Sequence, residues 1–244
     1  MSDPWKDLRH AAVTGDLELL RRELAKGPDV NDNDNDTGQT LLLDLCGARG
    51  FAGSDRLACF HLLIEAGADP TKMSTSGWFP LLYAAGNAYT ELCAALLASS
   101  AQADLNRAGR HGWTPLHLAC RSRSSSTAEC VALLLSRGAA VNARDESGST
   151  PLDHATQVRR RHLFPALLRA GAALPAPGTP QWERIQRSDA FIYLRKVAAA
   201  GGYRNYARDH LNALSGIFVP KFSRVLPPEM VRRVVEYAFD VGGH

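Results

Sequence analysis

The sequence predicts an all-α repeat solenoid, short helix pairs stacked in series, followed by a helical C-terminal subdomain. Three observations carry that expectation. A glycine-centred motif recurs four times, as "DTGQTLLLDLC" (Gly38), "TSGWFPLLYAA" (Gly77), "RHGWTPLHLAC" (Gly112) and "ESGSTPLDHAT" (Gly148), at spacings of 39, 35 and 36 residues. Paired leucines running into a glycine follow downstream, as "LLIEAGADP", "LLLSRGAAVN" and "LLRAGAAL", with a degenerate copy in "LLASSAQADLN". The repetition stops at "LPAPGTP" (174–180), whose three prolines forbid a helix and mark a boundary. Self-similarity at a near-constant period identifies stacked units, each too small to bury its apolar face alone.

Taken in order, the repeats fall at about 3–31, 36–72, 74–107, 109–144 and 145–175, giving an array over 3–175. The first, "LRHAAVTGDLELLRRELAKGPDVN", fits the frame from Leu8 without a leading turn and reads as an atypical cap. The fourth shows the local physics most fully. Gly112 supplies the positive φ of a tight turn, Thr114 can cap the helix that follows, and Pro115 sits where a missing N–H costs nothing. The second helix carries Leu133 and Leu134 and stops at Gly138, a C-terminal cap. Leu41 replaces the proline in the second repeat, and Phe79 removes the capping hydroxyl in the third.

After a linker at 176–180 comes a helical subdomain over 181–244. The pattern predicts a helix over roughly 181–199, a break at Gly201 and Gly202, and a helix near 203–215. The last element is "LPPEMVRRVVEYAF", in which Pro228 can start a helix and Val231, Val234, Val235 and Ala238 form one apolar stripe at helical spacing.

The combination of "GWTPLHLA" with "LLLSRGAAVN", at a period near 33, resembles the ankyrin repeat. That resemblance implies a non-enzymatic module holding a protein partner on a concave surface of turn tips and first helices. By register it assigns partner contacts to Asp36, Thr37 and Gln39, then Thr75, Ser76, Trp78 and Asn87, then Arg110, His111, Trp113 and Arg121, and finally Glu146, Ser147, Ser149 and Gln157. Trp78 and Trp113 each follow a turn glycine and are expected side by side on adjacent tips, flanked by Arg110 and Arg121, with the makeup of a binding hot spot. The resemblance also makes His117 of "TPLH" a hydrogen-bonded brace between neighbouring turns, with Asp153 in that place in "TPLD". "LPPEMVRRVVEYAF" resembles the opening helix of an F-box, and a C-terminal module with "LPxP" after such repeats resembles the SOCS box. An alternative function is therefore substrate adaptor of a ubiquitin ligase, although "FIYLRKVAAA" lacks the cysteine of a SOCS-type helix.

Composition narrows the rest. With 45% hydrophobic and 22% charged residues the chain has the makeup of a folded globular protein. Its start lacks the apolar core of a signal peptide and no apolar run spans a membrane, so a soluble monomer in the cytoplasm is expected, with a nuclear location compatible. Residues 1–180 hold 18 Lys+Arg against 19 Asp+Glu, and residues 181–244 hold 10 against 6. These scattered arginines argue against a nucleic-acid partner.

No nucleophile elbow, phosphate loop or H-E-x-x-H motif is present, and no enzymatic activity or cofactor is expected. The five cysteines form no C-x-x-C and all fall at core positions of the register, as reduced packing residues. The stretch "NDNDNDTGQT" (31–40) looks at first like a calcium loop. Starting such a loop at Asn33 puts Gly38 and Asp44 in place but makes its first, third and fifth ligands Asn33, Asn35 and Thr37; starting at Asp32 puts Thr37 at the glycine and Leu43 at the bidentate position. Neither frame works, and no metal is expected. In the repeat frame Gly38 is a turn glycine and Thr40 a helix cap. "RSRSSST" (121–127) reads as a polar turn between helices in which Arg-x-x-Ser spacing makes Ser124 or Ser126 a candidate for phosphorylation.

Overall fold

A turn glycine with positive φ hands the chain to a helix cap at four successive fingers: Gly38 (65°), Gly77 (79°), Gly112 (73°) and Gly148 (73°). The computed structural model describes residues 4–33, 36–49, 53–99, 105–176, 178–187, 191–222 and 230. Among them are thirteen α-helices, in two compact units, Met1–Pro151 and Leu152–His244.

The first unit contains α1 (Pro4–Thr14), α2 (Leu17–Leu24), α3 (Leu41–Gly47), α4 (Gly53–Glu65), α5 (Pro80–Gly86), α6 (Thr90–Ser99), α7 (Pro115–Arg121) and α8 (Thr127–Ser136). A helix of seven residues such as α3, α5 or α7 is far too short to persist alone. Stacking supplies the stability: first helices pack in the order α1, α3, α5, α7, and second helices in the order α2, α4, α6, α8. Between the two rows run Leu8, Leu20, Leu42, Leu45, Phe60, Leu63, Leu82, Leu96 and Leu116, all buried. Each such side chain is worth about 1.5–3 kcal/mol of burial, well above any single surface pair.

Helix ends follow the sequence closely. Thr40 Oγ1 accepts from the Leu43 N–H at 3.3 Å, and Asp16 caps α2 through Leu19 at 2.9 Å. At the far ends, Ala68 N–H donates to Leu63 carbonyl at 2.9 Å and Ala139 N–H to Leu134 carbonyl at 3.0 Å. These six-to-one bonds close over Gly67 and Gly138, each in the left-handed region. Asn31 then clips the first repeat to the second, accepting from Asp69 N–H at 2.7 Å and donating to the Gly67 carbonyl at 2.8 Å.

In the second unit lie α9 (Pro151–Gln157), α10 (Phe164–Arg169), α11 (Pro180–Gln186), α12 (Phe191–Ala199) and α13 (Tyr203–Phe222). Thr179 caps α11 by accepting from Trp182 N–H at 3.2 Å, with Pro180 in the first turn. Ile185, Leu194 and Val197 are buried, and Tyr193 lies 6.3 Å from Phe164 and edge-on to Tyr206 at 5.5 Å. Two expectations need correction. The helix expected over 181–199 is two helices, α11 and α12, and α13 runs to Phe222 rather than ending near 215. Apart from Met230, which is exposed, the element "LPPEMVRRVVEYAF" from Leu226 onward lies outside the described residues.

Candidate partner-binding surface

Fingertips of the first unit are tied to one another through the backbone. Thr75 N–H donates to the Thr37 carbonyl at 3.0 Å, with the Thr75 hydroxyl on the same oxygen at 2.9 Å, and Glu146 N–H donates to the His111 carbonyl at 3.0 Å. The turn glycines permit this approach: a Cβ on Gly77 would lie 2.9 Å from Arg110 N, and one on Gly112 3.0 Å from Glu146 N. The residue type is therefore dictated twice, by φ and by the neighbouring finger.

His117 links the fourth finger to the fifth. Its Nδ1 accepts from the Thr114 N–H at 3.2 Å and lies 2.9 Å from the Thr114 hydroxyl, while Nε2 lies 3.2 Å from the Ser149 carbonyl. A backbone N–H can only donate, so Nδ1 is the acceptor and Nε2 carries the proton. The bracing role expected from the resemblance is what this geometry provides.

Beside the tips, the exposed side of the first helices carries the remaining side chains. Trp78 stacks on Tyr83 with ring centroids 4.8 Å apart, and Tyr83 OH accepts from Gln39 Nε2 at 2.8 Å. Trp113 Nε1 donates to Asp145 Oδ2 at 3.2 Å, and the Arg121 guanidinium sits 5.1 Å from the Trp113 ring centroid. Asn87 Nδ2 donates to the Cys46 carbonyl at 3.4 Å. Arg9 grips Asp44 with Nε at 2.6 Å and Nη2 at 3.2 Å. Both tryptophans are thus half-buried and oriented, Trp78 by Tyr83 and Trp113 by the next finger.

Asp36, Thr37, Thr75, Arg110, His111, Glu146, Ser147 and Gln157 are exposed, and Ser76 is half-buried beside Ser74, their hydroxyls 3.0 Å apart. His111 adopts φ 64° and its Nδ1 lies 3.5 Å from Glu146 Oε2. Ser149 is a correction. It is fully buried, because Asp145 Oδ1 gathers the N–H groups of Ser147 at 2.9 Å and Ser149 at 2.8 Å and turns that side of the tip inward. Tyr83, Arg9 and Asp44 were not expected on this face. Register could have found two of them, since Tyr83 and Asp44 occupy the position of Leu118 in their own repeats.

The cysteines are all buried thiols. Burial pushes Cys46 and Cys120 well above the ordinary thiol range and Cys59 up to about 11. Cys93 is raised by its contact with Cys130, Sγ to Sγ 3.9 Å, and by burial. Thiols held protonated in this way are poor nucleophiles. Among the described residues no group of three His, Cys, Asp or Glu could hold a metal ion, and no helix is long and apolar enough to cross a membrane.

A model of ankyrin repeats matches residues 50–145 and 112–176, together more than half of the chain. The chain belongs to the ankyrin repeat family. Curated relatives share this array within larger proteins. The chain is 28% identical over 143 residues to Tyrosine-protein kinase HTK16 of Hydra vulgaris, covering 58% of this chain and 18% of that protein. It is 33% identical over 99 residues to Ankyrin repeat, SAM and basic leucine zipper domain-containing protein 1 of Dasypus novemcinctus, covering 40% and 20%. With B-cell lymphoma 3 protein homolog of Mus musculus it shares 35% over 119 residues, covering 48% and 26%. The match thus spans about a quarter or less of each relative. Ankyrin repeats are interaction modules, and a protein-binding role follows for this array.

Proposed function

We propose that the chain is a non-enzymatic, monomeric interaction module of the cytoplasm or nucleus that holds a protein partner on the concave face of its ankyrin repeats, with the array over 3–175 closed by a helical subdomain over 181–244. The observation that supports this reading is the row of oriented amphipathic side chains on the first-helix face: Gln39, Tyr83 and Trp78, then Trp113 and Arg121. Aromatic and arginine side chains held in place before binding lose little rotamer freedom on contact, which is why they dominate interface energetics.

The test is affinity capture with the full chain, followed by titration of the captured protein against variants. Trp78→Ala and Arg121→Ala are each expected to weaken binding by about 30-fold or more, equivalent to ~2 kcal/mol, while circular dichroism stays native. Unchanged affinity in both would remove the reading. A second reading, recruitment to a ubiquitin ligase through residues 181–244, predicts that cullin or its adaptor proteins are captured by these groove variants as strongly as by the parent chain. Their absence from both captures would remove that alternative.

A further inference from the structure

Helix α9 ends in a backbone conformation that two other repeats share. In the first, third and fifth repeats a six-to-one bond closes the first helix. It runs from Asp16 N–H to the Ala11 carbonyl at 3.1 Å, from Tyr89 N–H to the Ala84 carbonyl at 2.9 Å, and from Arg160 N–H to the Ala155 carbonyl at 2.8 Å. The residue just before each donor is left-handed: Gly15 at φ 79°, Ala88 at 54° and Arg159 at 58°. Glycine enters that region freely, whereas a Cβ crowds the following carbonyl. The second and fourth repeats carry Arg49 and Arg123 at the same register, but neither is left-handed. The turn accounts for Gly15 and leaves an arginine at this strained position unexplained. Strain of this kind gathers at binding sites.

Arg159 lines a groove of about 280 Å³ in the second unit, together with Gln157 at the end of α9, Arg184 of α11 and Arg187 at the C-cap of α11. Arg184 and Arg187 are three apart and share one helix face. All three arginines are exposed, and none makes an ion pair or a side-chain hydrogen bond among the described residues. Glu183 precedes Arg187 by one turn but is not paired with it. The lining holds a single acid, Asp153, which is buried, so three guanidinium charges face one carboxylate. Like charges gathered round one concavity repel each other and attract an anion.

Guanidinium groups offer paired N–H donors that fit oxyanions. A phosphate monoester carries about −1.5 to −2 charge and three acceptor oxygens, and so answers three arginines better than one carboxylate does. A groove of this volume takes one phosphorylated side chain and is too small for a run of nucleotides. We infer that it binds the phosphoryl group of a phosphorylated serine or threonine in a protein partner, with Arg159, Arg184 and Arg187 as its receptors and the Gln157 amide beside them. This goes beyond the concave-face reading, because it gives the second unit a ligand of its own.

The full chain is tested against an array of phosphoserine and phosphothreonine peptides with degenerate flanks, and the best binders are titrated by fluorescence anisotropy. These are expected to bind about 10-fold or more tightly than their unphosphorylated forms, and to lose about 10-fold or more in affinity for R159G and for R184Q/R187Q. R159G is expected to melt at or above the temperature of the parent chain, because glycine relieves the left-handed position. A fold no weaker combined with weaker binding is a result that a purely structural Arg159 would not give. Circular dichroism of R184Q/R187Q is expected to stay native. Equal binding with and without phosphate, or affinity unchanged in R159G, would overturn the inference, and so would an R159G melting temperature well below the parent's. Inorganic phosphate and a single-stranded oligonucleotide serve as competitors. Displacement by either at lower concentration than unlabelled phosphopeptide would overturn the protein ligand in favour of a free anion or a nucleic acid.

Discussion

The third and fourth repeats start their first helices at the same register position by opposite means. In the fourth, polar groups close the turn: Thr114 and His117 bond to one another, and His117 reaches the Ser149 carbonyl of the next finger. In the third the cap residue is Phe79, which offers no side-chain bond to the helix. Its ring is instead buried, with the Arg107 guanidinium 5.2 Å from the centroid. The turn itself is closed one step earlier, where Ser74 N–H donates to the Trp78 carbonyl at 2.8 Å and Ser74 Oγ accepts from Trp78 N–H at 3.1 Å. Register is therefore held by what is buried, and the hydrogen-bonded cap is exchangeable for an aromatic one.

Exchanging the two solutions tests that statement most severely. Phe79→Thr gives the third repeat the hydroxyl of the fourth. A Thr cap contributes about 1 kcal/mol, whereas deleting a buried Phe side chain costs about 3–5 kcal/mol, so a net loss of ~3 kcal/mol is expected in urea denaturation. A loss below ~1 kcal/mol would mean that the cap, not the ring, holds this turn. The reciprocal change, His117→Leu, gives the fourth repeat the residue type found at Leu43 and Leu82. It leaves the Ser149 carbonyl without its imidazole donor, at an expected cost of about 2 kcal/mol. Thr114→Ala should cost less, about 1 kcal/mol, and in combination with H117L should be less than additive, because the two residues share one network. Full additivity would show the box to be two separate contacts.

That contrast also explains what was legible beforehand. Turn glycines, caps and leucine pairs act within a few residues, so "GWTPLHLAC" specified a turn, a cap and a helix start by itself. Contacts that cross repeats carry no such local mark. Ser149 looked like a tip residue available to a partner, yet Asp145, four positions earlier, folds it inward. Tyr83 carries no local mark because its role depends on Gln39, 44 residues away. Gly47 and Gly86 likewise owe their small size to partners in the following repeat, Tyr83 and Leu118. Of the surface, the fingertips and tryptophans were readable by register, and the pairing that orients them was not.

The smallest expected effect distinguishes two junctions built on one bond. Asp69 N–H donates to Asn31 Oδ1 at 2.7 Å between the first repeat and the second, and Ala140 N–H donates to Asn106 Oδ1 at 2.7 Å between the third and the fourth. Only the earlier junction adds a titratable turn, in which Asp69 Oδ1 accepts from the Thr71 hydroxyl at 2.7 Å and the Thr71 N–H at 2.8 Å. These bonds, the hydroxyl first, hold the Asp69 carboxyl below its ordinary 3.8. A carboxyl whose folded value is depressed contributes stability that is present above its unfolded value and is lost as pH falls through the folded one. Asp69→Asn should therefore be less stable than the parent at pH 6, by under ~1 kcal/mol because solvent screens the site, with the gap closing below about pH 3.8. Paired denaturation curves at pH 6 and pH 3 check this, and a gap that stays constant would assign the turn's stability to shape rather than charge.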